Sequence, residues 1–476
     1  MRSKTSVGAM SVAVARRAGT GVSADSRVVV FPVNPHVARL LRDITAVDTP
    51  YIVGGVVRDF LMGAPSYDVD IAVRDFDRVV EHLKGLGYRV SEEARSFRVV
   101  KVVLGDGEVV DVAGFRTEEY DMVSRKPRVA PAETIEDDLS RRDFTINAMA
   151  IRVLDVGPDC AVGELVDPFG GYADLRAGVV RAVRNAVARI MEDPLRILRA
   201  LRFAVKLGFS IDRELWEAIG LLHPELRRVS AERIRDELNK MLLADPAGAV
   251  ELVWGSGVWR MVMPFLGPMA AVRHDSRAHH RGETVLEHTV EALRNLARLY
   301  GPDLLSVLAV LLHDAGKPAM VREVDGKVVF VGHAEVSAGI AREWLRAMRY
   351  DGRTVRLVSE AVRLHEMVHN ARGSRKALAR LWVEEANEDP EVMELAIRVA
   401  EADKGERYDD VRQLIEEFKA YPKPRGWLVL DLPPRARGYV LRKLRVLQLA
   451  QGISDPEKLR KLVKGISLPK EVEVKA

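Results

Sequence analysis

Between residues 37 and 165, short valine-rich runs alternate with helical stretches, and beyond Tyr172 the alternation stops. That break constrains the fold more than any other feature, because only the first third of the chain supplies β-type runs from which a sheet can be built. Residues 51–53 read as a strand entering Gly54-Gly55, 56–62 as a helix, and 69–73, 97–104 and 109–113 as further strands. Beyond Tyr172, residues 194–207, 213–222, 231–243 and 247–256 carry apolar side chains at helical spacing, with Ser230 placed as an N-cap. A loop rich in His and Arg, 273–282, precedes a third block, about 283–420, that is again helical. The pattern predicts an α+β chain, with one sheet-containing unit followed by helices.

At 476 residues the chain exceeds one ordinary core, so several domains are expected. A hydrophobic fraction of 47% beside 30% charged residues excludes a disordered polymer. The single cysteine, Cys160, excludes an internal disulfide framework and a zinc site of several thiolates, and points to a reducing, cytoplasmic setting. A formal net charge of +4 permits a nucleic-acid partner without requiring one. No membrane partner is expected, since the longest apolar run, 304–312, contains Ser306 and falls far short of the ~20 residues that span a bilayer. Residues 1–36 place Arg2, Lys4, Arg16 and Arg17 before the first acid, Asp25. They are expected to be a disordered tail or an over-extended start with Met10 as an alternative; an organelle transit peptide is the other reading.

The glycines and acids around residues 54–70 carry the first chemistry. Adjacent Gly54 and Gly55 between a strand and a helix let backbone N–H groups approach an anion, and the helix start favours negative charge. Arg58, one turn in, can reach a phosphate. Asp68 and Asp70 lie two apart in a predicted strand and so face one side, where the two carboxylates repel unless a cation sits between them. Mg²⁺, held by one or two carboxylates plus substrate phosphates, fits that need. A lone Gly-Gly is only a turn and a lone Asp-x-Asp is usually solvated, so it is their combination that points to phosphoryl chemistry. Asp111, on a later strand, is either a third carboxylate or structural, since nothing local fixes its direction.

Four segments follow in order: Gly54-Gly-Val-Val-Arg-Asp, Asp68-Val-Asp70, Arg141-Arg-Asp-Phe-Thr-Ile-Asn147-Ala, and Glu192-Asp-Pro-Leu-Arg-Ile-Leu-Arg-Ala-Leu-Arg-Phe203. Over about residues 45–265 this closely resembles the class II tRNA nucleotidyltransferases (CCA-adding enzymes) and the related bacterial poly(A) polymerases. The resemblance implies a nucleotidyltransferase head on a small antiparallel sheet, followed by an all-helical neck, body and tail. On that basis the expected division is 1–36 outside the fold, 37–165 head, 166–268 neck, 273–415 body and 416–476 basic tail.

Asp193 and Arg196 are three apart at a predicted helix start, and Arg199 and Arg202 continue the step. A solvated stripe with a first-turn acid is the ordinary reading, but it leaves the even three-residue spacing among packing positions unexplained. Cytosine and adenine each set an amine donor beside a ring-nitrogen acceptor, whereas uracil and guanine set a carbonyl beside an N–H. A carboxylate with a guanidinium therefore suits CTP and ATP and clashes with the other two. The resemblance gives Asp193 and Arg196 this same template role, which leaves Arg199 and Arg202 to hold phosphates. It also implies that Arg142 and Asp143 contact the nucleotide, with Asn147 a weaker candidate.

Histidines are few, yet His288, the His313-Asp314 pair, His333, His365 and Asp403 fall in a suggestive order. A histidine at a helix end is usually a cap, but an adjacent His-Asp among several such positions makes coincidence harder. The order resembles the HD-domain phosphohydrolases. That likeness implies His288, His313, Asp314 and Asp403 as metal ligands, with His333 and His365 available to a second ion. Imidazole with carboxylate suits Mn, Fe, Co or Ni better than Mg alone. Such a centre would make hydroxide near neutral pH and hydrolyse phosphate esters; the resemblance implies 2′,3′-cyclic phosphates among its substrates, and the alternative is a metal-free tRNA-binding body.

The leading expectation is untemplated addition of C, C and A to tRNA 3′ ends. The alternatives are a poly(A) polymerase, a CC- or A-adding enzyme, or an RNA-binding HD hydrolase with an inactive head. Residues 118–132 are long enough for the mobile loop used in switching to ATP. Three basic clusters are candidates for RNA contact: Arg372, Arg375 and Lys376; Lys419, Lys423 and Arg425; Arg435, Arg437, Arg442 and Lys443. Oligomeric state is left open.

Overall fold

The computed structural model describes residues 28–64, 69–119, 128–274, 283–324 and 327–467. They form two compact units, Met1–Leu226 and Arg227–Ala476.

The first unit is built on strands β1 (Val28–Pro32), β2 (Tyr51–Val53), β3 (Asp70–Val73), β4 (Arg89–Ser91), β5 (Val99–Val103), β6 (Val109–Gly114), β7 (Arg116–Glu119), β8 (Arg128–Pro131), β9 (Ala150–Val156) and β10 (Cys160–Val166). Eight of them make one sheet in the order β1-β10-β9-β2-β3-β6-β5-β4. The expected antiparallel sheet is present, and its one parallel ladder joins β3 to β6. Helices α1 (Pro35–Thr45) and α2 (Gly55–Leu61) flank β2, and α3 (Phe76–Gly85) follows β3. Asn34 caps α1 by accepting from Val37 N at 2.8 Å, and the helix buries Val37, Leu40, Leu41 and Ile44. Strand β6 alternates as its sequence dictates, with Val110 and Val112 buried and Asp111 partly exposed.

Two expectations change here. Residues 28–36 were placed outside the fold, yet Val28–Pro32 pairs with β10 and buries Val29 and Phe31. Residues 118–132 were read as a loop, yet at its two ends β7 and β8 pair antiparallel; residues 120–127 lie outside the described residues.

The unit continues through α4 (Ile135–Ser140), α5 (Ala186–Glu192) and α6 (Arg196–Leu207). The chain breaks between α5 and α6, with Asp193 extended at φ −141°. Pro194 accounts for the break, because its ring disfavours helical geometry in the residue before it.

Among its described residues the second unit is built of helices and one short strand pair, Arg322–Val324 and Lys327–Val329. Its centre is α8 (Leu304–Leu312), whose sequence LLSVLAVLL is buried from Ser306 to Leu312, as a helix apolar on all sides must be. Helices α7 (Val285–Tyr300), α9 (His333–Ala347), α10 (Gly352–Ala371) and α11 (Pro390–Lys404) pack around it. Thr284 and Glu287 close a reciprocal capping box at the start of α7. Ser230 sits at the N-cap of Ala231–Ala244, without a side-chain cap bond. Toward the end, Leu428, Val429, Val440, Leu444 and Leu459 form a separate small core. Among the described residues no helix is long and apolar enough to cross a membrane.

Candidate functional site

Strand β2 ends at Val53, and Gly54 then takes φ +88°, a conformation open to glycine and costly for other residues. A side chain there would bring its Cβ to 3.0 Å from Asp70 Oδ2 and 3.7 Å from Arg142 Nη1. The turn, Asp70 and Arg142 therefore share one small space. In the parallel ladder Asp70 is the register partner of Asp111, so two carboxylates stand side by side on neighbouring strands. Lys101 Nζ donates to Asp111 Oδ1 at 2.9 Å. Asp68 lies outside the described residues.

Behind this space runs a buried polar network. Arg58 is 4% exposed and its Nη1 donates to Asn147 Oδ1 at 2.6 Å, its Nε to Asp59 Oδ1 at 2.9 Å. In this arrangement the Arg58 guanidinium lies against the turn, its Nη2 3.3 Å from where a Cβ on Gly55 would stand. Asn147 Nδ2 donates on to Asp143 Oδ1 at 3.1 Å, and Asp143 Oδ2 accepts from Arg199 Nε and Nη2 at 2.8 and 2.5 Å. Burial alone would raise the Asp143 pKa, but Arg199 and the Asn147 and Phe144 donors hold it below the usual carboxylate range. Asp138 is held low in the same way, against its own burial, by Arg142 and Arg141. Phe203 collects three guanidinium groups, Arg202 at 4.1 Å, Arg58 at 5.1 Å and Arg199 at 5.7 Å from its ring centre. Arg199 and Arg202, expected on phosphates, are thus seated on Asp143 and Phe203.

Asp193 and Arg196 do not share a helical face. Asp193 occupies the break before α6, where its Oδ1 accepts from Leu195 N at 3.1 Å. Arg196 opens α6, buried, with Nη1 on Glu192 Oε2 at 2.6 Å and Arg189 O at 2.9 Å, and Nη2 on Arg141 O at 3.0 Å. Those three acceptors leave its Nε–H outside the network.

In the helical unit, all six of the expected ligands converge. Asp314 is fully buried; its Oδ2 lies 3.2 Å from His313 Nε2 and 3.6 Å from His288 Nε2, and its Oδ1 lies 3.3 Å from His333 Nε2. His288 Nε2 also meets Asp403 Oδ1 at 2.8 Å. His365 stands edge-on to His313 and His333 at 5.3 and 5.5 Å between ring centres. The Nδ1 atoms of His313, His333 and His365 each lie 2.6–2.9 Å from the carbonyl three residues earlier. A carbonyl only accepts, so each Nδ1 carries a proton and each Nε2 is the nitrogen turned toward the centre, the one a metal would take; the Asp314 carboxylate raises the His313 pKa against its burial. Buried His313 Nε2, His333 Nε2 and Asp314 Oδ1 have no hydrogen-bond partner, which is what metal ligands look like before the ion is added. Burial and His313 push His365 down to about 3, keeping it neutral. Asp314 and Asp403 are held well below the usual range by the surrounding imidazoles, against their own burial. His288, His313 and Asp403 make one ligand group, and Asp314, His333 and His365 another.

Three family models match in succession: the poly A polymerase head domain over residues 50–181, a probable RNA-binding site of polymerase A over 208–269, and the HD domain over 285–408. An A-adding tRNA nucleotidyltransferase of Deinococcus radiodurans is 31% identical over 444 residues, covering 87% of this chain and 94% of that protein. The chain belongs to the tRNA nucleotidyltransferase family. A CCA-adding enzyme of Leuconostoc mesenteroides is 39% identical over 198 residues, and one of Enterococcus faecalis 39% identical over 208. The chain spans about half the length of these two relatives, 46% and 48%. Among solved structures, the Bacillus stearothermophilus CCA-adding enzyme in complex with CTP covers 90% of this chain and 96% of its own at TM-score 0.64 and 22% identity. The Thermotoga maritima CCA-adding enzyme complexed with tRNA covers 90% and 94% at TM-score 0.60 and 22% identity. At such identity these two establish the fold.

Within this member of the family several contributors went unread in the sequence. Glu192 fixes Arg196, and its position four residues before Arg196 was the available signal. Asp138 gathers Arg141 and Arg142 from one turn away. His274 stacks on His288 at 4.1 Å, and Lys317 Nζ bridges His274 Nε2 and Asp314 Oδ2 at 2.6 Å each. Burial and Lys317 push the His274 pKa to about 2. Nothing local distinguishes His274 from the other residues of its loop, whereas Lys317 follows Asp314 by three.

Proposed function

We propose that this chain adds CMP and AMP from CTP and ATP to the 3′ end of tRNA without a nucleic-acid template, completing a CCA end. The observation that carries this is the pairing of Asp70 with Asp111 beside the Gly54 turn and Arg142. Asp70 and Asp111, with Asp68, would hold Mg²⁺, which when bound activates the attacking 3′-hydroxyl and stabilises the leaving pyrophosphate. The chain's own part is positional. Gly54 and Gly55 keep backbone N–H groups open to the triphosphate, with Arg142 beside them. Asp193 and Arg196, the latter fixed by Glu192, choose cytosine and adenine; Asp143, Arg199, Arg58 and Arg202 hold α6 against the catalytic sheet. The division into head, neck, HD body and basic tail belongs to this reading, as does a cytoplasmic location. The test is incubation of tRNA lacking its 3′ end with Mg²⁺ and labelled CTP or ATP, followed by sequencing of the product. Retained discrimination against UTP and GTP in Asp193→Ala would remove the template role.

A second reading, addition of A alone, is favoured by one observation: a relative matching along nearly its whole length is named an A-adding enzyme. Product sequences ending in A without added C would select it.

In the helical unit, His288, His313, Asp314 and Asp403, with His333 and His365 for a second ion, would hold Mn, Fe, Co or Ni. Such an ion supplies hydroxide near neutral pH for phosphate-ester hydrolysis. The buried Nε2 atoms of His313 and His333, without a hydrogen-bond partner among the described residues, support it. Failure of the full-length protein to take up any of these metals, with no turnover of 2′,3′-cyclic phosphates, would exclude it.

A further inference from the structure

Most cations of the three basic clusters already face an acceptor. Arg372 lies on Glu406, Arg375 on Glu417, Lys419 on Glu416 and Lys443 on Glu384, while Arg437 donates to the carbonyls of Leu432 and Leu430. The four ion pairs contribute little net field to an incoming polyanion. Lys423, itself 3.5 Å from Glu388, and Arg442, from different clusters, meet at one cavity of about 230 Å³, together with Asn387, Glu388 and Arg445.

The wall of this cavity is built. Arg445 is 4% exposed and is locked by Gln448 Oε1 at 2.9 Å, by the carbonyls of Tyr421 and Phe418 at 3.1 and 3.2 Å, and by Glu388 Oε2 at 3.2 Å. Glu388 is shared with Lys423 at 3.5 Å, so one carboxylate serves two cations. With Arg442, which has no carboxylate partner among the described residues, three positive charges face one negative charge. The backbone here is unusual as well. Residues Leu381–Glu385 form a π-helical turn, and Asn387 and Glu388 follow in consecutive left-handed conformations, at φ 52° and 56°. Neither is glycine, and strain of this kind persists where the surroundings hold it, often at a binding site. It brings the exposed Asn387 amide to the cavity rim beside Lys423 and Arg442. The volume is below the roughly 300–1,000 Å³ that accepts a drug-sized molecule, and so suits a single charged group.

We propose that this cavity is a phosphate-binding site, taking one phosphodiester group of the RNA through Lys423, Arg442 and Asn387 over the fixed Arg445–Glu388 pair. The RNA as occupant rests on the tRNA reading above; the phosphate chemistry rests on the cavity alone.

The test uses the full-length protein and the double variant Lys423→Glu/Arg442→Glu, both exposed positions, with Arg435→Glu as an exposed cation outside the cavity. Filter binding of tRNA lacking its 3′ end is measured across salt concentrations, and inorganic phosphate binding is followed by phosphorus NMR line broadening. The expected result is an affinity for tRNA lowered about tenfold, a salt slope reduced by about one to two, and phosphate broadening reduced to what the triphosphate site alone gives. Arg435→Glu should leave the broadening intact. Loss of phosphate binding with unchanged tRNA affinity would overturn RNA as the occupant and leave a free phosphate. Unchanged phosphate binding, or an equal effect from Arg435→Glu, would overturn the site. Absence of nucleotide incorporation would defeat the transferase reading while leaving the phosphate titration interpretable.

Discussion

Asp143 accepts two hydrogen bonds from Arg199, at 2.8 and 2.5 Å, and so fastens the loop after α4 to helix α6 across 56 residues of sequence. Its other oxygen serves Phe144 N and Asn147 Nδ2 at 2.8 and 3.1 Å. Asp143→Ala strands all these donors at once. Breaking a buried ion pair costs about 3–5 kcal/mol; Arg199 has 35% of its side chain exposed and regains some hydration, so a loss of ~2–3 kcal/mol is expected in urea unfolding. An unchanged midpoint would show that the network does not hold α6.

The same carboxylates set an acid limit. Asp143 and Asp138 both have folded-state pKa values below the ordinary range. Their stabilisation is therefore fully present above the unfolded-state value of about 3.9 and is lost as pH falls through the folded-state values. Between pH 5 and the acid transition, Asp143→Asn should lose stability less steeply than the parent. Parallel curves would assign the acid limit to other groups.

Gly54→Ala meets two obstacles, a positive φ and a Cβ 3.0 Å from Asp70 Oδ2. The backbone penalty is about 1–2 kcal/mol, and the contact moves Asp70. Incorporation should fall by much more than stability does; loss of stability alone, with normal turnover of the folded fraction, would show that the turn serves folding only.

For the helical unit, a divalent transition ion at about 100 times its dissociation constant should stabilise by ~2.7 kcal/mol, visible as a raised melting temperature. Asp314→Asn should abolish the shift, because Asp314 lies within 4 Å of His288, His313 and His333. An equal shift in that variant would place the ion elsewhere.

Much of this was legible because period and spacing report local structure. The glycine turn, the strand 109–113 and the helices 213–222 and 231–243 appear where valine alternation and helical spacing put them. What escaped depends on distant partners or on breakers. Asp193 and Arg196 were read as one helical face, although Pro194 between them was the signal for a break. Strand Val28–Pro32 alternates buried and exposed, but its charged, small-residue approach masked it. Asp111 acquires a direction only from its register with Asp70, and His274 only by stacking on His288. Neither relationship exists before the chain folds.

The central claim is tested most directly by labelled CTP and ATP incorporation into tRNA lacking its 3′ end, comparing the parent protein with Asp70→Asn in Mg²⁺. The parent should extend the tRNA. Asp70→Asn should be slower by at least about a hundredfold, a loss of ~3 kcal/mol of transition-state stabilisation. Its stability should be unchanged or raised, because one of two adjacent carboxylates has lost its charge. Incorporation of neither nucleotide by well-folded parent protein, or full activity in Asp70→Asn, would contradict the account.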